Sequence, residues 1–225
     1  MKTIAIVGAG PGLGLSVAKK FGQNGFRVAA ISRNPEKLAL IVQELAELQI
    51  EAQSFVADIA DPAALKQALQ AAKEALGPID VLEFSPYAGW HTFTPVLDTT
   101  PESVAEQMNG YLLPAVQSVN EVLPEMIERG SGAILFTTGL SAMFPIPFVG
   151  NGGIIMSGVR NYAANLHNVL KEKGVYVGHL SIGTMIKAGT PGDPGILADA
   201  WYNLYETADH FEEVFPPGVD PNKLG

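Results

Sequence analysis

Short apolar runs alternate along this chain with longer stretches in which apolar residues recur every three or four positions. The runs are Thr3 to Val7, Arg27 to Ile31, Ala52 to Ala57, Ile79 to Phe84, Ala133 to Thr138 and Val175 to Leu180. Between them lie Leu13 to Gln23, Pro35 to Leu48, Pro62 to Leu76, Pro101 to Ile127 and Gly153 to Lys171. The short runs read as strands and the periodic stretches as helices. Strands that are apolar on both faces, each followed by a helix, imply a parallel sheet covered on both sides. The expected fold is therefore a single doubly wound α/β domain of the Rossmann type with right-handed crossovers. Helix boundaries are marked by Asn34-Pro35, Asp61-Pro62 and Thr100-Pro101 at the starts, and by Gly25, Gly77, Gly130 and Gly174 past the ends. After Leu180 the pattern dissolves into Gly183, Gly189, Pro191, Gly192, Pro194 and Gly195, then resumes as a helix from Ile196 to Ala208. Residues 183–210 are expected to form a lid over the C-terminal ends of the strands, where ligands bind in open α/β sheets.

Composition narrows the function. The 225 residues are 47% hydrophobic and 16% charged, enough for one continuous core. With no cysteine there is no disulfide framework, thiolate metal site or cysteine nucleophile. His91, His167, His179 and His210 follow no metal-binding spacing, so no metal is expected. A formal charge of -9 with 14 basic residues argues against nucleic acid. No run of 18 apolar residues suits a membrane span, and the strand pattern begins at Thr3 without a signal peptide, which suggests the cytoplasm.

The first strand runs into Gly8-Ala9-Gly10-Pro11-Gly12-Leu13-Gly14 at the head of a helix. Glycines let the backbone turn tightly and approach a phosphate, and the helix start offers free N–H groups and the positive end of its dipole. The alternative is that the glycines serve only the turn, but their place after the first strand favours a dinucleotide. Gly8, Gly12 and Gly14 fit G-x-x-x-G-x-G, whereas G-x-G-x-x-G fails at Leu13.

On these residues, with Ala57-Asp58-Ile59, Leu123-Pro124-Glu125-Met126 and Gly130-Ser131-Gly132-Ala133-Ile134, the chain resembles the short-chain dehydrogenase/reductase family over nearly its whole length. The resemblance implies a nicotinamide cofactor, with Asp58 and Ile59 against the adenine and Ser85 and Gly183 along the cleft. Asp58 has an alternative as a helix-initiating carboxylate, which Asp61 fills better. At the end of the second strand, Ser32 stands where the family's NAD-specific acid would fall and Arg33 follows it. A guanidinium suits the 2′-phosphate of NADP(H), so NADP(H) is expected over NAD(H).

The resemblance also sets an expectation that this chain departs from. The family uses a Tyr, a Lys four residues later, a Ser and an Asn. Counting back from Gly174 puts Gly152 and Met156 at the Tyr and Lys positions; counting from the strand-five Thr pair puts Asn151 and Ile155 there. Neither register has a proton donor beside a cation. The Ser position falls on Thr138, or Thr137 in a slipped register, and the Asn position on Tyr111. Tyr87, His91 and Tyr111 are the candidate substitute proton donors. Tyr87, Trp90 and His91 could equally be aromatic lid residues, and His179 reads as a satisfied core residue.

Three functions follow: an NADP-dependent oxidoreductase on a small carbonyl or alcohol with an altered catalytic site, an inactive NADPH-binding sensor or scaffold, and a non-redox enzyme such as an epimerase or dehydratase. Family resemblance and the long helices Glu102 to Ile127 and Gly153 to Lys171 suggest a homodimer or homotetramer.

Overall fold

A computed structural model describes residues 1–219. Seven strands form one parallel sheet in the order β3-β2-β1-β4-β5-β6-β7. They are β1 (Lys2–Val7), β2 (Phe26–Ser32), β3 (Ala52–Val56), β4 (Ile79–Phe84), β5 (Gly132–Gly139), β6 (Val175–Ile182) and β7 (Glu212–Phe215). The helices are α1 (Leu13–Gln23), α2 (Pro35–Glu47), α3 (Pro62–Leu76), α4 (Pro101–Gln107), α5 (Leu113–Arg129), α6 (Gly150–Leu170) and α7 (Pro194–Thr207). One core layer joins the sheet to α1, α2 and α7, and the other joins it to α3, α5 and α6. The chain order reverses direction between β1 and β4, which opens a crevice at the C-terminal ends of those strands.

The caps follow the sequence signals. Asn34 accepts from the Lys37 amide, Asp61 from those of Ala63 and Ala64, and Thr100 from that of Ser103, each ahead of a proline in the first turn. Gly130 and Gly174 end their helices in the left-handed region, at φ 62° and 72°.

Three expectations are corrected. The continuous helix expected from Pro101 to Ile127 is divided by a π turn at Met108–Leu112. Asn109 and Gly110 are weak helix formers there, and Pro114 has no amide to give to the preceding turn. The seventh strand has no apolar run to announce it: Glu212-Glu213-Val214-Phe215 pairs along β6 at the sheet edge. The helical half of the segment expected to be a lid instead closes the core. Leu197, Ala198, Trp201 and Leu204 of α7 are buried in the layer that contains α1. The loop from 183 to 193 contributes no buried residue to that layer.

Candidate functional site

The turn after β1 has the form its glycines imply. Gly8 sits at φ +100°, where a Cβ would fall 2.5 Å from the Pro86 backbone. The amides of Gly8 and Ala9 both bond the Ile31 carbonyl at 3.0 Å, tying the turn to β2. Gly14 packs so closely that a Cβ would lie 2.8 Å from Ala9 Cα. At Gly12, by contrast, nothing lies within 4 Å of the place a Cβ would take, and at Gly10 only the Gly8 carbonyl comes so near, at 3.9 Å. Gly12 caps α1 with no side-chain hydrogen bond, and no acidic residue occupies its first turn. Gly8 and Gly14 are thus fixed by packing, whereas Gly10, Pro11 and Gly12 border open space below an uncapped helix with Leu13 buried behind them. This cradle fits a diphosphate.

At the end of β2, Ser32 is half-buried and Arg33 is exposed, with no carboxylate in salt-bridge reach among the described residues. Asp58, just past β3, is exposed and accepts from the Ala60 amide at 3.0 Å through one carboxylate oxygen. Ile59 is partly buried against α3's core layer. Ser85 follows β4, and its amide bonds the Val7 carbonyl at 3.0 Å. Gly183 follows β6; its amide bonds the Phe215 carbonyl at 2.7 Å, and a Cβ there would meet Leu140 at 2.3 Å.

Beyond Ser85 the chain carries an aromatic row. Tyr87 and Trp90 meet edge-on with centroids 6.5 Å apart, and Trp90 meets Phe93 at 5.6 Å. Partial burial raises the Tyr87 phenol above its ordinary range. His91 is exposed, its ring folded over Gly89. The row ends on α6. A Cβ at Gly152 would stand 2.7 Å from Phe93 Cδ1, so the aromatic ring fills the space above one of the two positions, Gly152 or Asn151, at which the family's Tyr is expected. The buried Asn151 fastens this loop by accepting from the Thr94 amide and donating to the Thr92 carbonyl, both at 2.9 Å. Met156 turns its sulfur to the Gly139 amide and the Ser141 hydroxyl, at 3.4 and 3.3 Å.

Tyr111 lies on the π turn and donates its hydroxyl to the Thr137 carbonyl. Burial, with Glu83 adding negative charge, lifts its phenol far above the ordinary range, so its proton is held by the backbone. Thr138 Oγ1 is 2.7 Å from His179 Nε2, and His179 Nδ1 is 3.2 Å from Glu212 Oε2. Arg160 Nε completes the chain at 2.7 Å from the same carboxylate. His179 and Arg160 together hold Glu212 down at about 2, and burial lowers the imidazole. With an ionised acceptor on Nδ1, the neutral ring carries its hydrogen there, and Thr138 donates to Nε2. His179 is the satisfied core residue the sequence suggests, but its partners come from β5 and β7.

Sequence reasoning missed Phe93 and Glu83. Glu83 has no exposed surface, receives bonds from Ser85 and Thr137, and is pushed up to about 8 by burial. A lone carboxylate at an inward position of an otherwise apolar strand was the available signal. Among the described residues no three His, Asp or Glu side chains gather as a metal site, and no helix is long and apolar enough to cross a membrane.

A family model described as short chain dehydrogenase matches residues 2–190. The very-long-chain 3-oxoacyl-CoA reductase of Anas platyrhynchos is 30% identical over 179 residues, covering 76% of this chain and 56% of that protein. The chain thus matches little more than half the length of that relative. A short-chain dehydrogenase from Rhodopseudomonas palustris superposes with a TM-score of 0.84 at 28% identity, covering 96% of this chain and 98% of that one. A metagenomic short-chain oxidoreductase in complex with NADP shares the fold, with a TM-score of 0.83 at 22% identity, over 97% and 98% of the two chains.

Proposed function

Because this chain belongs to the short-chain dehydrogenase family, we propose that it is an NADP(H)-dependent oxidoreductase acting on a small carbonyl or alcohol without the family's Tyr and Lys. The observation that carries this reading is the uncapped α1 start with open space beside Gly10 and Gly12, one strand away from Arg33, which no carboxylate among the described residues pairs. The amides of Gly12, Leu13 and Gly14 would hold the diphosphate, and Arg33, past Ser32, would grip the 2′-phosphate through its planar fork. Asp58 keeps one carboxylate oxygen free for the adenine side. The NADP seen with the metagenomic relative supports the same cofactor class here.

A dinucleotide held there would supply the hydride. The chain's own part is to position the carbonyl and provide a proton at its oxygen. Tyr87 and His91 stand in the loop at the strand edge and remain the candidate donors, whereas Tyr111 is committed to the Thr137 carbonyl. The Thr138 hydroxyl is held by His179 and could polarise a carbonyl only by giving up that bond. A proton donor without a neighbouring cation forgoes part of the roughly 10² to 10⁴-fold that general acid catalysis contributes, so turnover is expected to be slow.

The exposed Leu113 and Ile127 of α5, with Ile154 and Val169 of α6, suit a homodimer or homotetramer. Light scattering at the 23.8 kDa of one chain would contradict that assembly.

The test is NADPH oxidation over a panel of aldehydes and ketones, run beside thermal shift with NADPH and NADH. Turnover together with stabilisation by NADPH supports the reading. Stabilisation without turnover over the panel favours a binding module, an outcome that Phe93 above Gly152 would explain.

A further inference from the structure

Among the described residues Glu83 is the one fully buried acid of the sheet layer, and no cation faces it. Its strand partners are Ile6 of β1 and Leu135 of β5. The polar groups around it are Ser85 at the end of β4, Thr137 of β5 and, through Thr137, Trp201 of α7. Tyr111 is the remaining titratable neighbour; its phenol keeps its proton, and the Glu83 carboxyl helps to hold it there.

The indole fixes the polarity of this set. Trp201 Nε1, which can only donate, lies 3.0 Å from Thr137 Oγ1. Among the described residues the Thr137 hydroxyl hydrogen has one acceptor in reach, Glu83 Oε1 at 3.1 Å. Oε1 is therefore an acceptor, and a proton on Glu83 must sit on Oε2, which faces Ser85 Oγ at 2.8 Å. Ser85 then accepts, and its own hydrogen has no acceptor among the described residues. Ser85 is half-buried beside the glycine turn: its carbonyl carbon lies 2.8 Å from where a Cβ on Gly8 would stand.

We propose that the proton on Glu83 turns Ser85 Oγ into a hydrogen-bond donor toward the bound dinucleotide, so that cofactor binding is coupled to that proton. The inference rests on the dinucleotide reading of the glycine turn. When Glu83 releases its proton to solvent, Ser85 must swing its hydrogen back to the carboxylate. The ligand loses a donor, and its phosphates face a new buried negative charge. Binding in turn favours the protonated form, as linkage requires.

The experiment is a calorimetric titration with NADPH at pH 7, 8 and 9. For a group titrating near 8, the wild-type affinity is expected to fall about tenfold from pH 7 to pH 9. Glu83→Gln, whose amide donates to Ser85 at every pH, should bind with an affinity that no longer changes over that range. Ser85→Ala should bind more weakly at pH 7 and lose the slope. Wild-type affinity that is flat from pH 7 to 9, or a Glu83→Gln protein that keeps the wild-type slope, overturns the proposal while leaving the dinucleotide reading intact. Absence of NADPH binding at pH 7 overturns that reading and this one with it. Should Glu83→Gln fail to fold, wild-type titrations at pH 8.5 in buffers of different ionisation enthalpy decide the matter. Uptake of a large fraction of a proton per NADPH bound supports the coupling, and zero uptake overturns it.

Discussion

The ring of Phe93 stands over Gly152, with Cδ1 2.7 Å from the place a Cβ would occupy there, and so a phenol cannot be returned to that position without displacing it. Gly152→Tyr with Met156→Lys should therefore fail to raise NADPH-dependent reduction and should cost roughly 1 to 3 kcal/mol through overpacking. Adding Phe93→Ala should recover part of that loss. Urea denaturation and initial rates check both, and a double variant of wild-type stability would contradict this placement of the ring.

Arg33 has no carboxylate partner among the described residues, so its fork is free for a phosphate. Arg33→Ala should lose roughly 1 to 3 kcal/mol of NADPH binding and leave NADH binding nearly unchanged. Calorimetry with both cofactors checks the difference. Equal losses for the two would remove the 2′-phosphate role.

Glu212 ties β7 to His179 of β6 and Arg160 of α6. Its carboxyl is held at about 2 in the fold against an ordinary 4.5. A depressed acid stabilises above its unfolded value, and that contribution is lost as pH falls from about 4.5 toward 2. His179, lowered by burial, works in the same direction, opposing folding once the pH drops below its ordinary 6.5. With Glu212 23% exposed and partly screened, Glu212→Gln should cost about 2 to 3 kcal/mol at pH 7 and progressively less below pH 4.5. Urea midpoints at pH 7, 5 and 3 measure this, and a cost independent of pH would contradict the assignment.

Tyr111→Phe removes a buried hydroxyl from the Thr137 carbonyl, leaving that acceptor short of a partner. The expected result is a stability loss of about 1 to 2 kcal/mol with no change in the pH profile of any reduction. If Tyr87→Phe or His91→Ala lowers the rate while Tyr111→Phe lowers only the melting temperature, the proton route lies in the loop after β4. A rate untouched by all three would place it elsewhere.

What could be read in the sequence was local. Six strands are legible because each is mostly apolar and set between helical stretches, and the glycine turn because Gly8, Gly12 and Gly14 lie within seven residues of one another. The missing Tyr and Lys are legible for the same reason, since residues 148–159 contain neither. β7 is not, because Glu212 and Glu213 acquire strand character only by pairing with β6. Neither is the role of α7, whose Trp201 reaches back 64 positions to Thr137. Phe93 above Gly152, Glu83 between Ser85 and Thr137, and Thr138 on His179 all join residues from different strands and loops. Such contacts are set by sheet register, which no spacing along the chain displays.

Transfer of deuterium from C4-labelled NADPH into the alcohol products of a carbonyl panel, read by mass spectrometry, tests the central claim most directly. A chain that holds the cofactor at Gly8 to Gly14 and reduces carbonyls without a Tyr and Lys pair should deliver the label slowly into product, and Gly14→Ala, which would bring a Cβ within 2.8 Å of Ala9 Cα, should reduce the yield. Tight NADPH binding with no label in any product would contradict it.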